Sequence, residues 1–267
     1  MAVEARGRWP DITAKTFVRT GIAPGAAVPG WVHRTVFVTV SMVVVIPSLL
    51  PFISIAPDFN GYGGIDFQLY VDAASRWVGG DAFYPREQVV GPYALQMGGV
   101  LYPPVALWLF VPFTVLPAVL WWAIPLAVTA WCVWLLRPSQ LTWPLLAMCV
   151  AWPPTLVKLA TGNPVMWVMA AMALGVVTAG PAVLVLLKPS LIPFAVWGVR
   201  HRPWWRWLAA FLILSAPFGA MWAEWVATVA NAKGGGLLYS IQEVPMLLIP
   251  VIAWLGRTRR RATAPRL

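Results

Sequence analysis

Charge is scarce in this chain: Lys, Arg, Asp and Glu together make up 10% of it, with two cysteines and two histidines. A soluble domain of this size carries roughly 25–35% charged residues on its surface, so a water-soluble globule is excluded. Cys132 and Cys149 both fall inside apolar runs and imply neither a disulfide framework nor a metal site. His33 and His201 sit at the ends of apolar runs without metal-ligand spacing, and the expected cofactor complement is none. The chain has no phosphate-cradling glycine loop, no Ser-His-Asp order and no HExxH, and no repeat with a period of roughly 20–50 residues.

Hydrophobic residues account for 60% of the 267 positions and the mean hydropathy is +0.74, which defines an all-α, polytopic membrane protein. The net charge of +10 does not indicate nucleic acid, because the basic residues gather beside apolar runs: in an N-terminal arm, around Arg200 to Arg206, and from Arg257 to Arg261. That distribution is the positive-inside pattern against anionic lipid headgroups.

Residues 1–35 read as a cytosolic arm, 36–256 as one transmembrane domain and 257–267 as a basic cytosolic tail. The stretch 36–56 is long enough for the bilayer core of about 30 Å and has the character of an uncleaved first span. Further spans are expected near 103–116, 118–136, 141–158, 164–178, 181–199, 205–229 and 244–256, with Pro112 and Pro117 dividing the long run between Leu101 and Leu136. The result is about eight spans in the cell membrane, with both termini cytosolic and an outer loop over 57–102.

That loop holds most of the chain's carboxylates: Asp58, Asp66, Asp72, Asp81 and Glu87. Within it the spacing predicts a helix over Ile65 to Val78, stopped by Gly79-Gly80, with Asp66, Tyr70, Ala73 and Trp77 down one face. Too polar to span, it suits an amphipathic helix at the outer headgroup boundary. Asp66 falls in its first turn, where the helix dipole favours an ionised carboxylate, and it reads either as a cap or as a reactive base. Asp72, Asp81 and Glu87 read as solvated.

Charges inside the spans are each a site hypothesis. Lys188 and Glu224 are expected at similar depth, roughly 10 Å below the outer ends of their spans, and would either line an outward-opening polar cavity or pair with each other. Lys158 is expected near an inner span end, snorkelling to the surface. The 18 tryptophans, including Trp121-Trp122 and Trp204-Trp205, read as interfacial belts.

Asp66-Phe67, Leu69-Tyr70, Ala73-Ala74, Gly79-Gly80 and Tyr84, then Tyr102-Pro103-Pro104 and Lys188-Pro189, together resemble glycosyltransferase family 87. Its members are membrane enzymes with a GT-C type fold, similar to polyprenol-phosphate-mannose-dependent mannosyltransferases. The resemblance runs from about Val36 to Arg202. The family's Gly-Gln-x-Asn step corresponds here to Gly162-Asn163-Pro164, where only the glycine matches, and the family's usual length implies a relative shortened at its C-terminus.

The resemblance implies an inverting transfer of a sugar, mannose first among the choices, from a polyprenyl phosphate to a lipid or glycan hydroxyl outside the cell. Asp66 would be the general base that removes the acceptor's proton. A phosphate leaving group needs no paired general acid, and its developing charge would be met by Lys188, with Arg76 and Arg86 as helpers. Tyr70, Tyr84, Tyr102, Glu224 and Asn163 are the candidate sugar or acceptor contacts; the tyrosines read equally well as interfacial anchors. No metal is called for. Two other classes stay open on the sequence: a transporter or flippase of a lipid-linked substrate, and a non-catalytic partner subunit.

Overall fold

The computed structural model describes residues 35–36, 39–40, 63–94, 99–233 and 237–258. The expected cytosolic arm, nearly all of the first span and most of the basic tail lie outside those residues.

The described chain is mostly helical: α1 Ile65–Val78, α2 Arg86–Val90, α3 Pro104–Thr114, α4 Val119–Leu136, α5 Thr142–Ala151, α6 Pro153–Thr161, α7 Val165–Thr178, α8 Ile192–Ala195, α9 Arg202–Ser215, α10 Gly219–Asn231 and α11 Val244–Leu255. Two parallel two-residue strands, β1 Tyr93–Ala94 and β2 Ala232–Lys233, join the outer loop to the end of α10. Val119–Leu136 and the continuous Arg202–Asn231 are each long and apolar enough to cross a membrane, and α5 with α6, bent by 58°, forms a third candidate. By length and composition these helices have the character of membrane spans.

α1 has the bounds its spacing predicts. Gly64, with φ at 75°, sets its start, and its amide donates to the Ala160 carbonyl at 2.9 Å, which ties the helix to the end of α6. Gly80, at φ 94°, takes the chain out of it. Phe67, Tyr70, Ala73 and Ala74 are buried, so this helix is clamped on the bundle by one face rather than resting on lipid alone.

The expected span over 103–116 requires correction. α3 has 11 residues, four α-helical between two 3₁₀ turns, and is about 20 Å long, two-thirds of what a bilayer core of about 30 Å requires. Its ends decide its path. Tyr102 hydrogen-bonds Asn163, and Trp121, at the start of α4, donates its indole N–H to the carbonyl of Gly162. The chain therefore leaves and returns at one level, and the segment is a hairpin with Pro112 in its last turn. The region expected as a span over 181–199 folds the same way: Ala179 and Gly198 lie against each other, while Lys188 between them reaches Glu243 near the start of α11.

α4, α7 and α11 consequently all begin near Asn163 and run in the same direction. At their far end the Ser139 amide donates to Gly256 O, and Trp197 packs edge-on against Trp254. Arg137, Arg200, Arg202, Arg206 and Arg257 collect there, whereas every carboxylate among the described residues lies toward the Asp66 end. Lys158, at the close of α6, belongs to the Asp66 end, opposite to its expected place, because the hairpin at α3 reverses the sense of the helices that follow.

The tryptophan belt is corrected in part. Trp121 is fully buried and Trp204 nearly so, each spending its N–H on a carbonyl inside the bundle. Trp205 remains exposed.

Candidate active site

At the mouth of the bundle the first turn of α1 meets the turn between α6 and α7. Gly162 makes that turn: its φ is 72°, and a Cβ there would lie 2.7 Å from the Trp122 ring and 2.8 Å from Phe67 Cβ. Only glycine satisfies both the left-handed backbone and that approach. The turn delivers two donors to one oxygen of Asp66. Thr161 Oγ1 donates to Oδ2 at 2.7 Å and the Asn163 amide donates to the same atom at 2.8 Å. Oδ1 has no partner among the described residues, and Asp66 is half-buried.

Asn163 Oδ1 in turn accepts from the Val165 amide at 3.1 Å and from the Tyr102 hydroxyl at 3.4 Å. These bonds fix the amide orientation, so its NH2 is the group that faces Asp66. Tyr102 stands edge-on to Tyr70, and the Lys188 ammonium lies 5.5 Å from its ring centre, within cation–π range. Lys188 is buried at 4% exposure and donates to Glu243 Oε1 at 2.7 Å; Glu243 is 3% exposed, so the charges neutralise each other out of water. Lys158 Nζ stands 3.7 Å from the same carboxylate. Asp66, Asn163, Tyr102, Lys188, Glu243 and Lys158 thus form a continuous polar path from the bundle's mouth into its core.

The remaining expected residues are distributed around this path. Lys188 does not pair with Glu224; its partner is Glu243. The two lie 55 positions apart, and Glu243 reads in the sequence as the polar edge of an apolar run, with no local pattern to mark it. Glu224 is half-buried on α10 near Tyr84. The Tyr84 hydroxyl donates to the carbonyl of Tyr102 at 2.8 Å, and burial first, then the Glu224 charge, pushes its phenol well above the usual tyrosine range. Tyr84 is therefore a fixed donor that holds Tyr102 in place. Arg76 and Arg86 are exposed, with no side-chain hydrogen bond or ion pair among the described residues. Tyr70, stacked on Phe110 at 4.9 Å and buried, is wall rather than surface anchor.

No cluster of three or more His, Cys, Asp or Glu suited to a metal occurs among the described residues. In comparisons with known proteins the chain matches no family model, no curated protein and no solved structure.

Proposed function

We propose that this protein is a membrane glycosyltransferase that moves a sugar, mannose in the first instance, from a polyprenyl phosphate to a lipid or glycan hydroxyl, with Asp66 as general base. The observation that carries this reading is the half-used carboxylate. Thr161 and Asn163 hold Oδ2 and orient the group, while Oδ1 stays open to accept the proton of an attacking hydroxyl. A carboxylate serving only as a cap would donate its acceptor capacity to backbone amides of its own helix. Here both donors are side chains of another segment, and the cap residue of α1 is Gly64.

In this reading the acceptor hydroxyl bonds Asp66 Oδ1 and attacks the sugar's anomeric carbon as its proton passes to the carboxylate. The bond from that carbon to the phosphate oxygen breaks, and the phosphate leaves with its electron pair. Inversion follows from a single displacement. Lys188 and Lys158 supply the positive charge that the departing phosphate requires, with Glu243 balancing them before the donor arrives. The fold belonging to this reading is GT-C-like. In this reading the crossing count is six instead of eight: the expected first span over 36–56, which lies almost wholly outside the described residues, then α4, α5 with α6, α7, α9 with α10, and α11, with the two hairpins at partial depth. The arginine-bearing end faces the cytosol and Asp66 faces out.

The test is transfer of radiolabelled sugar from mannosyl, arabinosyl or glucosyl polyprenyl phosphate into extractable lipid, in membranes carrying the wild-type chain or Asp66→Asn. Transfer abolished by the substitution is the expected result. Absence of transfer from every donor, with the protein inserted and folded, would move the assignment to a transporter or a partner subunit.

A further inference from the structure

A cavity runs along α4 from Arg137 toward Leu159. It has a volume of about 460 Å3, within the range of roughly 300–1,000 Å3 typical of ligand sites, and it is enclosed by α4 on one side and α5 and α6 on the other. Its walls are almost wholly apolar. Trp134 and Trp143 stand at its rim and are 65% and 47% exposed, so the opening faces sideways into the lipid-facing surface. At its far end stands Arg137, exposed and without an ion-pair partner among the described residues. Next to Arg137, Pro138 is bridged to Arg257, whose guanidinium lies 3.9 Å over the Trp254 ring. Two further residues of the wall, Thr129 and Thr155, have buried hydroxyls that bond to no described residue.

We propose that this cavity binds one acyl chain of an anionic phospholipid, with its phosphate on Arg137. Each part of the cavity fits such a ligand: hydrocarbon walls take the chain, the side opening lets it enter from the bilayer, and the Arg137 guanidinium at its end matches a negative headgroup. The sugar donor's own tail is a different matter. Trp122 of α4 donates to Leu159 O, at the end of the cavity nearer Asp66, and Arg137 stands 15 residues further along the helix, so the arginine end lies about 22 Å from the Asp66 site. A donor phosphate must sit next to Asp66, and this cavity places one at the opposite end. The inference therefore stands independently of the proposed activity.

The experiment uses the full chain, delipidated in detergent and titrated with dioleoyl phosphatidylglycerol or dioleoyl phosphatidylcholine, with retained lipid counted by native mass spectrometry. Wild type is expected to retain one phosphatidylglycerol in preference to phosphatidylcholine. Arg137→Gln should weaken that retention about fivefold, the factor expected for one basic residue near an anionic headgroup. Arg206→Gln, an exposed arginine of the same end outside the cavity, should leave it unchanged, and Ala130→Trp, which fills the cavity from its rim, should abolish it. All three variants are compared at equal helicity by circular dichroism. Equal losses for Arg137→Gln and Arg206→Gln, no preference between the two lipids, or full retention by Ala130→Trp would each overturn the assignment.

Discussion

The Asn163 amide donates to Asp66 Oδ2 at 2.8 Å across 97 positions of sequence, while Thr161 donates to the same atom at 2.7 Å. Two donors on one oxygen fix the carboxylate's plane and leave its second oxygen for chemistry. Under the proposed function Asp66→Asn keeps the shape and removes the base, and the expected loss of turnover is about 10²–10⁴-fold, the usual worth of a positioned general base. Asn163→Ala leaves the base in place and removes one orienting bond. Its expected loss is smaller, about tenfold, as for a hydrogen bond to a charged group worth about 1.5 kcal/mol. Steady-state transfer rates at saturating donor separate the two. Equal losses would make orientation, rather than basicity, the contribution of Asp66.

Lys188 and Glu243 invite a different comparison. Removing one member of a buried pair strands the other charge, so Lys188→Met or Glu243→Gln alone should destabilise the protein strongly, by about 3–5 kcal/mol. The double variant Lys188→Met with Glu243→Leu leaves no buried charge and should recover most of that loss in thermal unfolding in detergent. Under the proposed function it should not recover sugar transfer, because the leaving phosphate has lost its cation. Recovery of both would reduce the pair to a lock between the 180–198 hairpin and α11.

Tyr84 makes a prediction about pH. Burial, with a further contribution from Glu224, raises the phenol's pKa in the folded state. A raised folded pKa means that the native state holds its proton where the unfolded chain has released it. The stabilisation is therefore complete below the unfolded value of about 10 and is lost as pH rises beyond it. Alkaline unfolding above about pH 10 should be steeper in wild type than in Tyr84→Phe, which has no phenol to ionise. The same variant should be less stable near neutrality by about 1 kcal/mol, for the lost bond to Tyr102 O. Identical pH slopes in the two proteins would contradict this account of Tyr84.

How much of this was legible follows a physical division. α1 could be read to its last residue because glycines punctuate both ends, and Asp66 could be singled out because a carboxylate in the first turn beside apolar runs is conspicuous. Gly162 is the residue whose φ, at 72°, brings Thr161 and Asn163 to Asp66. Glu243 left no trace, since its meaning comes entirely from Lys188, 55 positions away. The direction of the helices was equally hidden. An apolar run satisfies lipid and protein interior alike, so the residues from Pro103 to Leu116 look the same whether they cross or turn back. Only the contacts of Tyr102 and Trp121 with neighbouring residues of one turn distinguish the two.

That distinction yields the sharpest test of the architecture. Eight successive spans put residue 82, in the outer loop, and residue 140, between α4 and α5, on the same side of the membrane. With 103–118 as a hairpin, α4 runs away from Asp66 and ends at Arg137, and the two positions face opposite sides. Ala82→Cys and Gln140→Cys, made singly in a chain whose buried native Cys132 and Cys149 are replaced by alanine, report this directly through an impermeant thiol reagent on intact cells. Both sites are exposed, so access is not limited by packing. Cys at 82 should label from outside, and Cys at 140 only after the membrane is permeabilised. Labelling of both from outside would restore the eight-span order and contradict the hairpin at α3; labelling of 140 alone would invert the protein and put Asp66 in the cytosol.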